Sequence, residues 1–256
     1  MTAPTIAMVA RTLCAIFAAP PPTLAAEPAL AALADARVDR AVLILADAMG
    51  APVWRTRPDL RARVRAVCPM AIAVRAVFPP KTPVCFASMF TGAQPAQHGI
   101  RTYAKPVLTC DTAFDALLRT GRRIALVAVA GSSMDTIFRA RAIDYRSEPD
   151  DAAVLRTAAQ VIAGDRHHLV LAYTQDYDDA VHRLPPLGEE ALACAERQVD
   201  GLSALAAVAT TAWSGRPHAM AFLPDHGAHA CAAGHGDHGE DIPDDMELEH
   251  FWNVVG

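Results

Sequence analysis

Lysine is nearly missing from this 256-residue chain: of its 23 basic residues only Lys81 and Lys105 are lysines, the rest being arginines. Such an arginine- and alanine-rich makeup is read as a bias of genomic composition, which leaves Lys81 the more conspicuous. An excess of positive charge is missing too. With 28 acidic residues, a net charge of −5 and a pI near 6.0, the chain lacks the basic footprint that holds nucleic-acid polymers. The six cysteines (Cys14, Cys68, Cys85, Cys110, Cys194 and Cys231) contain no C-x-x-C pair and lie mostly in apolar runs. That argues against a disulfide framework or a thiolate zinc site. No apolar stretch reaches the roughly 18 residues of a membrane-spanning helix. Repeats, low-complexity tracts and long linkers are also missing. A single globular domain with a large core remains, together with a small appendage.

The appendage is N-terminal. Residues 1–36 hold two helical stretches, 4–18 and 28–36, separated by Pro20-Pro21-Pro22. Arg11 is the only charge before the short apolar run Thr12 to Ala19, so a helical segment packed on the domain is favoured over a signal peptide. The expected location is cytoplasmic, and a homodimer is compatible with the sequence. Residues 37–256 then alternate between two patterns. Arg40 to Ala46, Arg123 to Ala130, His168 to Tyr173 and His218 to Leu223 are short continuous apolar runs, as in buried parallel strands. Ala71 to Phe78 reads as a further strand and Ile143 to Arg146 as an edge strand. Residues 58–67, 152–163 and 189–210 read as helices, and Asp111 as the cap of another ending near Gly121. This alternation predicts an α/β fold: a three-layer α/β/α sandwich with a mostly parallel central sheet.

In such sheets function collects beyond the carboxyl ends of the strands. Asp47 follows the first run, Asp176 to Asp179 the third, and Asp225-His226 the fourth. Asp178 and His182 are four apart, so one helical turn puts both on one face. Five of the ten histidines fall between residues 226 and 250, several beside glycines that allow tight turns. Carboxylates with neutral imidazoles suit a divalent metal such as zinc; a polar surface loop is the alternative. Lys81-Thr82-Pro83 reads as a helix start, with Thr82 at the N-cap, Pro83 at the first helical position and Gly92 as the stop. A hydroxyl over the positive end of a helix, beside a lysine, makes an anion site. Taken alone, the stretch is also compatible with an ordinary capped helix.

Together these residues resemble the alkaline phosphatase superfamily of metal-dependent hydrolases, and look most like its nucleotide pyrophosphatase/phosphodiesterase branch. The matching blocks are Leu43 to Gly50, Phe78 to Pro83 continuing to Thr91-Gly92, His98-Gly99-Ile100, Asp178 through His182, Asp225-His226-Gly227, and His238-Gly239, in the family's order. The resemblance implies an alkaline phosphatase-like domain over 37–256 and two divalent ions, zinc first, with Mn2+ or Mg2+ as alternatives. It implies that Asp47, Thr82, Asp225 and His226 hold one ion, and Asp178, His182 and His238 the other. Thr82 would be the nucleophile, transiently phosphorylated. The implied activity is hydrolysis of a small-molecule phosphate ester, a phosphodiester or pyrophosphate before others, with no membrane partner. Phosphomonoesterase, phosphonate or sulfate hydrolase and phosphomutase share the same core, and a metal-dependent phospho-ligand binding module is the non-enzymatic alternative.

One departure bears on the substrate. Where that branch has a phosphate-binding asparagine just past the His-Gly-Ile block, this chain has Arg101-Thr102-Tyr103. Arg101 is a candidate phosphate clamp in its place, Tyr103 a donor or stacking surface, and Lys81 a cation beside Thr82. His229, His235 and Asp237 lie off the motif positions and are read as supporting or solvent-facing.

Overall fold

A computed structural model describes residues 3–256; Met1 and Thr2, at the head of the expected N-terminal segment, lie outside the described residues. The nine strands in chain order are β1 (Arg40–Ala46), β2 (Met70–Arg75), β3 (Ile124–Val129), β4 (Asp144–Glu148), β5 (Leu169–Thr174), β6 (His218–Phe222), the short pair β7 (His229–Ala230) and β8 (Gly236–Asp237), and β9 (Glu247–Val255). Seven form one sheet in the order β2-β9-β6-β1-β5-β3-β4, and β7 pairs with β8. Within the large sheet only β9 runs against the rest, antiparallel to both β6 and β2.

Alternation along the central strands divides the core into two layers, because successive side chains point to opposite faces. Ala41, Leu43 and Leu45 of β1 join Leu169, Leu171 and Tyr173 of β5 on one face. Val42, Ile44 and Ala46 join Val170 and Ala172 on the other. Helices α1 (Met8–Ile16), α4 (Thr82–Thr91), α6 (Ala113–Arg119) and α7 (Ser133–Ile137) cover the first face. The second carries α2 (Ala51–Thr56), α3 (Pro58–Val67), α8 (Asp151–Ala163), α9 (Asp176–Val181) and α10 (Glu189–Ala212). Two single turns, α5 (Pro95–His98) and α11 (Pro243–Met246), complete the set. The architecture is the expected three-layer sandwich.

The sequence reading and the structure part company at a few ends. The expected helix over 28–36 is a single 3-10 turn, Ala31–Leu33. Thr112, not Asp111, caps α6, its hydroxyl accepting from the Asp115 N–H. Asp111 is drawn off by Arg119, with Nη1 to Oδ1 at 2.7 Å. Strand β9 was not foreseen, because Glu247, Glu249 and His250 break up its apolar run. Helix α4 begins one residue early, with Thr82 already helical, Lys81 at the N-cap and no side-chain capping bond. The Thr82 hydroxyl is therefore not spent on its own helix.

Every residue of α4 is buried, as its all-round apolar sequence requires. It packs through Phe90 against Phe114 and Phe138, ring centres 4.7 and 5.5 Å away. Gly92 ends the helix in the left-handed region at φ 70°, and a Cβ there would lie 2.6 Å from that of Ala25. The chain can turn here only with glycine. Leu13 and Phe17 of the N-terminal segment lie buried in the same apolar layer as α4.

Two histidines are folded in as neutral groups. His98 lies 2.8 Å from the Ser88 hydroxyl, and His250 donates from Nε2 to the Pro224 carbonyl at 2.8 Å. Burial pushes both down to about 4. A depressed histidine contributes stability that is complete above the ordinary value near 6.5 and is lost as pH falls through the folded value. The contribution of these two histidines to the stability of EDTA-treated protein should therefore fall between pH 6.5 and 4. The fully buried His250 contributes up to about 3 kcal/mol of that loss. His250→Gln, followed by circular dichroism across this range, should flatten the slope.

Candidate active site

The strands that carry the site, β6, β1 and β5, are neighbours at the centre of the sheet. Asp47 is the first residue past β1, Asp225 and His226 follow β6, and α9 starts directly after β5. Three segments far apart in sequence thus end at one edge. Gly50 and Gly227 allow the β1 and β6 connections to touch: a Cβ on Gly50 would lie 2.5 Å from the Gly227 Cα, and one on Gly227 2.0 Å from the Asp244 carbonyl oxygen.

Two groups of possible metal ligands result, Asp47 with Asp225 and His226, and Asp178 with His182 and His238. In the first, His226 Nε2 lies 3.3 Å from Asp47 Oδ1 and 3.5 Å from Asp225 Oδ2. In the second, His238 Nε2 lies 3.5 Å from Asp178 Oδ1 and 3.2 Å from His182 Nε2. The groups adjoin, with the His226 and His238 rings stacked at 4.0 Å. Thr82 Oγ1 is 3.3 Å from His226 Nε2. All seven residues singled out as ligands in the sequence, Thr82 among them, therefore gather at one point.

The electrostatics are those of a site built for cations. Asp47 and Asp225 are almost wholly buried. Asp47 Oδ1, Asp225 Oδ2 and Asp178 Oδ1 have no hydrogen-bond partner. Burial pushes the Asp47 carboxyl well above the carboxylate range, the charges of Asp225 and Asp178 push it further, and the Tyr173 hydroxyl opposes them. Asp225 is driven to about 8 by burial and by the charge of Asp178. Burial also pushes Asp178 up, but its bond to His182 and the imidazoles of His226 and His238 bring it below its ordinary value. His226 is held neutral by burial. Its Nδ1 donates to the Gly227 carbonyl at 3.0 Å, and His238 Nδ1 to that of Pro80 at 2.9 Å. Both rings therefore carry the proton on Nδ1 and turn an Nε2 lone pair into the cluster, the tautomer of a metal ligand. Orphaned carboxylate oxygens facing imidazole lone pairs fit a pair of divalent cations.

Other buried groups hold these ligands, and the sequence reading passed them over. The Tyr173 hydroxyl donates to Asp47 Oδ2; a tyrosine ending a wholly apolar strand needs such a partner, and that was the available signal. Asp151 accepts from the backbone N–H groups of Gln175 and Asp176 at 2.9 Å, fixing the start of α9. Asp245 takes Gly239 and Glu240 N–H on one oxygen, at 2.8 and 2.9 Å, and His229 Nδ1 on the other at 2.8 Å. It ties down the loop that carries His238. In the sequence Asp245 is indistinguishable from its exposed neighbour Asp244.

The residues expected to meet substrate divide differently. Thr82, Tyr103, Asp47, Asp178 and Asp179 line a cavity of about 100 Å3, with Lys105, Gly131, Ser132 and Tyr173 in the same wall. Helical spacing singled out Asp178 and His182, and the neighbouring Asp179 lines this cavity as well. Arg101 does not; it is exposed, its guanidinium donating to the Ala96 carbonyl at 3.2 Å. Lys81 donates to the His238 carbonyl at 3.2 Å and is spent on the ligand loop. His229 and His235 hydrogen-bond Asp245 and the Gly236 carbonyl, and an Asp237 oxygen accepts the His238 N–H. A larger groove of about 550 Å3 along β2 and β9, lined by Trp54, Val74 and Leu248, contains none of the candidate ligands.

Sheet order, layering and ligand edge together define an alkaline phosphatase-like fold, the class that the sequence blocks resemble. Solved structures supply particular counterparts. A 2-O GAG sulfatase matches 84% of the chain at 12% identity with a TM-score of 0.60. Murine ectonucleotide pyrophosphatase/phosphodiesterase 5 matches 75% at 15% identity and TM-score 0.57, and an inactive form of that protein has been solved in complex with AMP. The C-terminal periplasmic domain of the phosphoethanolamine transferase EptC from Campylobacter jejuni matches 85% at 12% identity and TM-score 0.60. The chain spans 64% of the sulfatase, 58% of the murine protein and 79% of the EptC domain. No protein-family model matches the sequence, and no curated protein matches it.

Removing the Asp245 anchor should loosen the His238 loop while leaving Asp47 and Asp225 in place. Asp245→Asn is expected to weaken binding of added zinc by roughly tenfold or more, measured by competition with a chromophoric chelator.

Proposed function

We propose that this protein is a two-metal hydrolase of phosphate esters, acting on a phosphodiester or pyrophosphate through a phosphorylated Thr82. One observation carries the reading: an uncapped threonine hydroxyl stands 3.3 Å from His226 Nε2, where two groups of metal ligands meet. Zinc ions held by Asp47, Thr82, Asp225 and His226, and by Asp178, His182 and His238, would supply Lewis acidity toward the hydroxyl and the phosphoryl oxygens. The protein's own residues do the rest. Thr82 loses its hydroxyl proton as Oγ1 bonds to phosphorus, and the bond from phosphorus to the leaving oxygen breaks in line, the departing oxygen taking up a proton. A water then displaces Oγ1, its oxygen staying on phosphorus and one of its protons restoring the threonine hydroxyl, and the phosphomonoester left from the diester or pyrophosphate is released. The positive end of α4 stabilises charge on the phosphoryl oxygens, and the buried Tyr173–Asp47 bond keeps Asp47 oriented.

We read residues 37–256 as the catalytic unit and 1–36 as a segment that seals the outer side of α4, a reading supported by buried Leu13 and Phe17. Six free cysteines agree with a cytoplasmic location. Among the described residues no helix is long and apolar enough to cross a membrane. A sulfate or phosphomonoester substrate would use the same core, as the similarity to a sulfatase suggests.

Zinc-loaded protein should hydrolyse bis-p-nitrophenyl phosphate faster than p-nitrophenyl sulfate, and EDTA should abolish both activities. Thr82→Ala should lower turnover by at least 1,000-fold, on the order of 4 kcal/mol, with nearly unchanged metal content. Persistent turnover in that variant would exclude Thr82 as the nucleophile.

A further inference from the structure

The wall of the small cavity has an uneven supply of charge and hydrogen. Asp47, Asp178 and Asp179 contribute carboxylates. Two of the polar donors are already committed to these carboxylates: the Tyr173 hydroxyl is given to Asp47, and Gln175 Nε2 to Asp179 at 3.1 Å. Among the described residues Lys105 is the one cationic side chain in this wall. It comes from the loop after α5, and its Nζ donates to the Gly131 carbonyl at 2.9 Å. An ammonium has three N–H donors, so that bond holds the head group at the end of β3 with two donors still to give. The same nitrogen lies 5.5 Å from the centre of the Tyr103 ring, which also lines the cavity. Held by a carbonyl and a ring face, the ammonium is anchored in the wall of the cavity that Thr82 also lines. Arg101 and Lys81, the cations that the sequence pointed to, are each engaged with a backbone carbonyl outside this wall.

Resting on the phosphate-ester reading above, we infer that Lys105 is a specificity-determining residue: its anchored ammonium takes a non-bridging phosphoryl oxygen and selects substrates that bring two negative charges into the cleft. Of the substrates proposed above, this ranks a pyrophosphate ahead of a simple diester, which brings one charge; a phosphomonoester dianion satisfies it too. The interaction is a charge-assisted hydrogen bond, so its strength rises with the charge on the acceptor. Across substrates with one leaving group, Lys105 therefore changes the ratio of monoester to diester turnover.

The test uses Lys105→Gln, of similar length but uncharged, with Lys105→Arg as the conservative control. Zinc-loaded wild type and variants are compared on p-nitrophenyl phosphate and bis-p-nitrophenyl phosphate, which share a leaving group. Binding of inorganic phosphate to the same preparations is measured by calorimetry. Lys105→Gln should lower kcat/KM for the monoester at least tenfold more than for the diester and weaken phosphate binding about tenfold. Lys105→Arg should recover part of both, and all three proteins should share one thermal midpoint. Equal losses on the two esters, or unchanged phosphate affinity, would overturn the assignment. Lys105-dependent phosphate binding without turnover of either ester would overturn the hydrolase reading and the substrate selection with it, leaving only the contact of Lys105 with a phosphoryl oxygen. A wild type that neither binds phosphate nor turns over either ester would remove both.

Discussion

Carboxylates shut away from water repel one another, and the active edge of this protein is organised around that repulsion. Asp47, Asp178 and Asp225 converge with an unpartnered oxygen on each. Two unit charges 4 Å apart cost about 4 kcal/mol even at an effective dielectric constant of 20. Protonation relieves part of this, as the upward displacement of Asp47 and Asp225 indicates. Divalent cations would relieve it more completely and would match the imidazole lone pairs turned toward the same point. The Tyr173 hydroxyl, the Asp245 clasp and the Asp151 contact at the head of α9 resist the tendency of these acids to move apart.

The fold was legible because its strands are buried on both sides. A run such as Ala41-Val42-Leu43-Ile44-Leu45 has few alternatives to a central parallel strand; β1, β3, β5 and β6 announced themselves this way, and β4 as an edge beside them. The acids beyond their ends followed from topology alone. Less legible were features whose cause lies elsewhere in the chain. Strand β9 alternates charge with apolar residues, and it is recognisable only once β6 and β2 stand on either side of it. Asp245 has the sequence context of a solvated acid, and its burial depends on a loop that folds over it.

The cations illustrate the same boundary. Adjacency in sequence put Lys81 beside Thr82 and Arg101 near the His-Gly-Ile block, yet side-chain direction sent them to other carbonyls. Lys105, a few residues further on, reaches the cavity because the loop after α5 crosses to the end of β3. At Thr82 a single residue of helix phase mattered: as an N-cap the hydroxyl would be bound to its own backbone, whereas as the first helical residue it is free for chemistry. Motif spacing fixes which residues can gather, and the last turn of each element decides what they do there.

Strand β9 also constrains how the molecule reaches this state. It lies between β6 and β2, so Met70 pairs with Trp252 and Arg75 with Glu247, partners separated by most of the chain. Until residues 247–255 dock, β2 has no neighbour in the sheet and the trough between β2 and β6 stays open. The five strands from β6 to β4 must await one long-range closure, the kind of step that loop entropy makes slow. Until then the exposed edge of β6 is a strand-pairing hazard that docking of residues 247–255 removes.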